Sequence, residues 1–213
     1  MSTSHPLTDV LFAPAPHPSL DENLSTAFSK LIGSWNLTMR RYSSPSRLSD
    51  PLIVEGEWHF GWVLNGLAVQ DVWIVPKRAT SSNLFPSVPR TMSGDHTGEF
   101  LEYGTAIRFF SRQEGKYRAV WAGPLQGKTH LFTAEARNGN EVEMVAREHL
   151  PAVEKEVRLK EGKTELEGVG MLMKWHLTEI QQSSFKWKEW MSEDEGASWW
   201  LREEFDCVRM QGE

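Results

Sequence analysis

Residues 56–76, GEWHFGWVLNGLAVQDVWIVP, decide the fold. Two runs rich in Trp, Phe, Val and Ile flank the dipeptide Asn65-Gly66, and Asn-Gly between alternating apolar runs is a strong hairpin signal. The spacing predicts strands over 54–64 and 67–75. In the second run Val69, Asp71, Trp73 and Val75 share one face, and Gln70, Val72 and Ile74 share the other, because successive strand residues point to opposite sides. Both faces are largely apolar, so either Asp71 or Gln70 must look into a core.

Outward from this hairpin the period of two recurs over 35–42, 105–110, 117–121, 128–135, 141–146, 171–180, 184–191 and 198–208. Turn pairs such as Glu114-Gly115, Asn138-Gly139 and Glu195-Gly196 separate the runs. About ten consecutive strands with no helix between them predict an all-β chain, a single antiparallel up-and-down barrel, since closure removes unpaired edges. Before the strands, Leu20, Leu24, Ala27, Phe28 and Leu31 fall at helical spacing, with acids early and Lys30 late, which predicts a short N-terminal helix over 20–32. Residues 1–20, with Pro6, Pro14, Pro16 and Pro18, read as an extended or disordered arm. That leaves 21–210 as one barrel domain. The connection 76–104 is long enough to be a lid or binding loop.

The chain carries 23 basic and 29 acidic residues for a net charge of −6, which argues against nucleic acid or an anionic membrane as partner. One cysteine, Cys207, allows neither an internal disulfide nor a cysteine zinc site. With no signal-peptide pattern at its start, the chain is expected to be cytoplasmic. A homodimer is compatible with this reading.

LIGSW at 31–35, the 56–76 stretch, YGTAIRFF at 103–110 and SFKWKEWMSEDEGASWWLREEF at 184–205 carry a resemblance to an uncharacterised family of calycin-like (lipocalin-type) β-barrels, related to bacterial domains of unknown function. It covers residues 25 to 208. In such families the last turn commonly reads Ser-x-Asp-Gly-Gly-x-x-Trp, whereas here Glu195 stands at the first glycine. The resemblance implies a barrel with a pocket, and brings no reaction or catalytic residues with it.

Alternation also assigns faces. Lys186 and Lys188 mark the solvent side of their strand, so Phe185, Trp187, Glu189 and Met191 should point inward. A carboxylate in that company would be desolvated and would need a partner. Arg108 is a natural counter-ion for Asp71 or Glu189, or for an acidic ligand. A buried structural ion pair is at least as good a reading. His59 could serve as a general base, or with His130 or His176 as a metal or haem ligand, although no HxH or HxxxH spacing supports the latter.

Ten tryptophans are the compositional outlier. Many must simply be core, but a barrel lined by Trp35, Trp58, Trp73, Trp121 and Trp175, with His130, suits a flat apolar or aromatic guest. GxSxG, GxGxxG, P-loop and HExxH patterns are absent, so no cofactor is expected. Three readings follow. The first is a binder of a small hydrophobic or aromatic molecule. The second is a cofactor-independent isomerase, cyclase, dehydratase or hydrolase for a polyketide- or terpenoid-like substrate, using Glu189, Asp71, His59 and Arg108. The third is a nitrobindin-like haem barrel.

Overall fold

Ten strands run antiparallel in chain order and close on themselves. The computed structural model describes residues 6–20, 28–78, 102–125, 127–137, 139–147 and 172–211. A helix, α1 (Pro6–Leu11), and a two-residue strand, β1 (Phe12–Ala13), precede the barrel. The barrel strands are β2 (Gly33–Arg41), β3 (Leu52–Val63), β4 (Ala68–Val75), β5 (Glu102–Ser111), β6 (Lys116–Gly123), β7 (Lys128–Arg137), β8 (Glu141–Arg147), β9 (Leu172–Thr178), β10 (Ser184–Ser192) and β11 (Trp200–Arg209). Each pairs with its neighbour in sequence, and β11 closes on β2. All ten expected strands are present, as is the ladder closure that leaves no barrel edge unpaired.

The N-terminal arm departs from the extended reading. Pro6 opens a helix, a position where its missing N–H is one that would be unpaired anyway, and no further proline follows until Pro14. Phe12 and Ala13 then pair with Val63 and Trp62, and His17 N donates to Gly66 O at 3.0 Å. Gly66 has φ of +76°, and a Cβ there would lie 2.3 Å from Ala15 O. Glycine at this turn is therefore what lets the arm lie on the hairpin. Of the expected helix over 20–32, residues 21–27 lie outside the described residues, and Phe28 and Ser29 are helical.

The barrel has a closed end and a mouth. At the closed end Trp35 Nε1 donates to Leu31 O at 2.7 Å. Arg209, the last residue of β11, spans the same segment by donating to Ile32 O at 2.8 Å and Lys30 O at 2.6 Å. The interior rows follow the alternation: Phe185, Trp187, Glu189 and Met191 are all buried, and Lys186 and Lys188 lie on the other face. In the last turn Glu195 takes φ of +57°, and Asp194 organises the turn by accepting from Ser192 Oγ at 2.8 Å and Ser198 N at 2.8 Å. Those bonds, from Ser198 first, hold its carboxyl down at about 2. The hairpin thus closes with Glu195 in the left-handed region. Among the described residues no helix is long and apolar enough to cross a membrane. The suggested lid lies mostly in 79–101, outside the described residues.

Candidate functional site

The mouth is where β2, β4, β6, β8 and β10 end and their partners begin, and it holds a cavity of about 200 Å³. Trp73 of β4, Trp121 of β6, Trp175 of β9 and Trp187 of β10 line it from below. Trp73 lies 5.2 Å from Trp175 and 5.5 Å from Trp187 between ring centroids, and Trp121 lies 5.8 Å from Trp73. Tilted and edge-on contacts at these distances are favourable for aromatic rings, so the four indoles make a packed floor. His130 stacks on Trp121 at 5.2 Å and 17°.

Above the floor stands a charged ring supplied by strand ends: Arg41, Glu102, Lys128, Glu189, Arg202 and Glu203. A β-bulge builds part of it. Glu189 faces Glu203 across the β10–β11 ladder, but Trp190 faces Leu201, so Arg202 is an extra residue on β11. A bulge re-aims side chains, and here the consecutive residues Arg202 and Glu203 both reach the cavity.

Arg41 ties two of the carboxylates together. Its Nε donates to Glu203 Oε2 at 2.8 Å, and its Nη2 pairs with both Glu203 and Glu102. Arg202 Nη1 lies 3.1 Å from Glu189 Oε1, close enough for ion pairing though outside hydrogen-bonding geometry, and 3.8 Å from Met191 Sδ. Trp175 Nε1 donates to Glu189 Oε2 at 3.1 Å. Burial pushes the Glu203 carboxyl up against the pull of Arg41, and the nearby Glu189 charge pushes it in the same upward direction. Glu203 Oε1 and the indole N–H groups of Trp73, Trp121 and Trp187 are buried without a hydrogen-bond partner among the described residues.

The four residues considered for acid–base work do not converge. Glu189 lines the cavity. Asp71 and Arg108 form a buried ion pair with each other, Asp71 also accepting from Ala106 N at 3.2 Å. The Arg108 guanidinium lies 5.7 Å from the Phe28 ring centroid and 5.8 Å from that of Phe60, toward the closed end. Burial pushes the Asp71 carboxyl up, against the attraction of Arg108. His59 is on the outer face of β3, with Nδ1 2.9 Å from Ser34 Oγ and Nε2 3.2 Å from Glu57 Oε2. Burial raises the Glu57 carboxyl, but the bonds from Arg78 outweigh it and hold it below its ordinary value.

The residues considered for ligand contact divide similarly. Trp73, Trp121, His130, Trp175 and Trp187 line the cavity. Trp35, Trp58 and Phe185 belong to the core beneath, with Trp35 and Phe185 edge-to-face at 4.8 Å, while Met191 supports Arg202 from the side. The three strand histidines are also dispersed: His130 faces the interior, His59 bonds Ser34, and His176 pairs with Glu141. Among the described residues no group of three or more His, Cys, Asp or Glu is placed to hold a metal ion.

Arg41, Glu102, Lys128, Met173, Arg202 and Glu203 were not singled out from the sequence. Alternation reaches several of them. Leu37 and Met39 lead to Arg41, Phe205 and Cys207 lead back to Glu203, and Phe132 and His130 lead back to Lys128. Arg202 has no such signal, because the bulge breaks the alternation.

No family model matches the chain, and no curated protein matches it. Among solved structures, the chain is similar to one described as "EF1p2_mFAP2b bound to DFHBI", at 13% identity over 87% of this chain and 98% of that one, with a TM-score of 0.31.

Proposed function

We propose that the protein binds a small planar molecule, aromatic or largely apolar, in the mouth cavity. The observation that carries this is the indole floor with its unpartnered donors: three of the four lining indoles keep a buried N–H without an acceptor among the described residues. A buried unpaired donor costs about 1–3 kcal/mol, and a guest with an acceptor atom at its edge offsets that. The volume, about 200 Å³, is that of a compound of one to two fused rings rather than a long lipid. The test is a titration of intrinsic tryptophan fluorescence with indole, 1-naphthol and quinoline, beside mass spectrometry of what co-purifies. Saturable shifts that disappear in Trp187→Ala support the reading. Linear, unsaturable responses to every compound, with nothing co-purifying, reject it.

A second reading, a cofactor-independent catalyst, is favoured by one feature. Glu203 and Glu189 face each other in the cavity wall, and one of them is held toward its protonated form. Two carboxylates in unlike environments suit general acid–base chemistry. On this reading Glu189 keeps its catalytic role with Glu203 as its partner, and conversion of a co-purified compound is lost in both Glu189→Gln and Glu203→Gln. Turnover retained in both variants rejects it.

A further inference from the structure

The charged ring at the mouth is unequally satisfied. Its guanidiniums are engaged, Arg41 by Glu102 and Glu203, and Arg202 by Glu189. Among the described residues two carboxylate oxygens accept no hydrogen bond, Glu203 Oε1 and Glu189 Oε1, the latter meeting Arg202 only as an ion pair at 3.1 Å, although the two side chains are only 3% and 7% exposed. In these contacts three carboxylates share two guanidiniums. Lys128 also lines the cavity but is exposed at its rim, where water screens its charge, and His130 is stacked on Trp121. The unmet demand at Glu203 Oε1 and Glu189 Oε1 is therefore for a donor, preferably a charged one.

From this we infer that the ligand is a planar organic cation, a protonated N-heteroaromatic or arylalkylamine, whose N–H donates to Glu203 Oε1 and Glu189 Oε1 while its ring lies on the indole floor. The inference rests on the binding reading above and specifies its chemistry. The faces of the floor act in the same direction as the charged ring, and the indole N–H groups of Trp73, Trp121 and Trp187 ask in addition for an acceptor atom elsewhere on the guest. Indole faces attract cations, and desolvation strengthens that attraction. An anionic guest could accept from the indole N–H groups of the floor, but it would face two buried carboxylate oxygens with no donor of its own, and could reach the guanidiniums only by displacing carboxylates already paired with them.

Three probes of like ring size separate the possibilities: 4-aminoquinoline, a cation at neutral pH; 1-naphthylamine, uncharged; and 1-naphthoate, an anion. Each is titrated into the full chain at pH 7 by calorimetry and tryptophan fluorescence. The cation is expected to bind about ten-fold or more tightly than the amine, as one charge-assisted hydrogen bond allows, and the naphthoate is expected to be weakest. Glu203→Gln should bring the cation-to-amine ratio close to one, and Glu189→Gln, tested in parallel, should reduce it. Equal binding of cation and amine, tighter binding of the naphthoate, or a ratio unchanged in both folded variants overturns the cation inference while leaving the binding reading intact. If no probe saturates, the binding reading itself fails and the inference falls with it.

Discussion

Glu203 and Glu189 face each other directly across the β10–β11 ladder, and each keeps one buried carboxylate oxygen that accepts no hydrogen bond among the described residues. Like charges directly opposite are destabilising in a sheet. Two things contain the repulsion here. Arg41 and Arg202 each pair with one member, and burial favours the protonated form of Glu203. The arrangement is therefore one in which stability depends on a proton.

That dependence has a definite sign. With the folded-state value of Glu203 raised above the ordinary 4.5, the native chain holds a proton that the unfolded chain has lost, so stability falls as pH rises from 4.5 through the raised value. Asp71, raised from 3.8 by burial, acts in the same direction. The melting temperature is expected to be higher at pH 5 than at pH 8, with the difference reduced in Glu203→Gln, which carries no titrating proton. Thermal unfolding at the two pH values checks this, and an identical difference in both proteins would contradict it.

Asp71 and Arg108 are expected to behave as structure rather than as site. Removing one member of a buried ion pair costs about 3–5 kcal/mol, because it strands the other, whereas replacing both with apolar groups of similar size is often near neutral. Asp71→Ala and Arg108→Met should each show a loss of that size in urea denaturation, and Asp71→Leu combined with Arg108→Met should recover most of it. Ligand affinity at the mouth should not change in the double variant. A loss in the double variant equal to the sum of the single ones would mean that the pair is not coupled as drawn.

Arg209 joins three elements at the closed end. Its guanidinium carbon lies 4.1 Å from the Trp35 ring centroid, and its nitrogens donate to the carbonyls of Ile32 and Lys30. Arg209→Met keeps the bulk and loses the charge and the fork of donors, at an expected cost of about 2–4 kcal/mol from charged hydrogen bonds and cation–π contact. Arg209→Lys should recover only part of this, since an ammonium cannot reproduce the planar fork. Full recovery in the lysine variant, read from denaturation midpoints, would show that charge alone matters at this position.

Local rules reach the barrel easily and its mouth with more difficulty. Asn65-Gly66, and the lysine row of Lys186 and Lys188, act within a few residues, and the strands and faces they imply are those observed. What alternation cannot rank is depth along the barrel axis. Trp35 and Trp187 both point inward, yet one lies in the closed-end core and the other in the cavity floor. Asp71, Arg108 and Glu189 are likewise all interior, and only the shear of the closed sheet determines that the first two meet each other and the third meets Arg202. His59 went to the outer face because Trp58 and Phe60 occupy the inward positions on either side of it. Pairing over such long sequence separations is tertiary information. So is the bulge that brings in Arg202.

The floor can also be tested without touching a charge. Gly104 lies against Trp121, and a Cβ at that position would fall 2.7 Å from Nε1 and 3.0 Å from Cε2 of the indole. The new methyl would point into the barrel. Trp121 is held on its other sides by His130, stacked at 5.2 Å, and by Trp73 and Trp175 at 5.8 and 6.0 Å, so the ring can yield only by moving toward the cavity. Gly104→Ala is therefore expected to cost about 1–3 kcal/mol as overpacking. In a space of about 200 Å³, it should also weaken ligand binding by about ten-fold, which corresponds to roughly 1.4 kcal/mol. Pairing the substitution with Trp121→Phe, which removes the colliding edge, should restore stability and part of the affinity. Calorimetry on the single and double variants checks both effects, and unchanged affinity in Gly104→Ala would place the ligand away from this side of the floor.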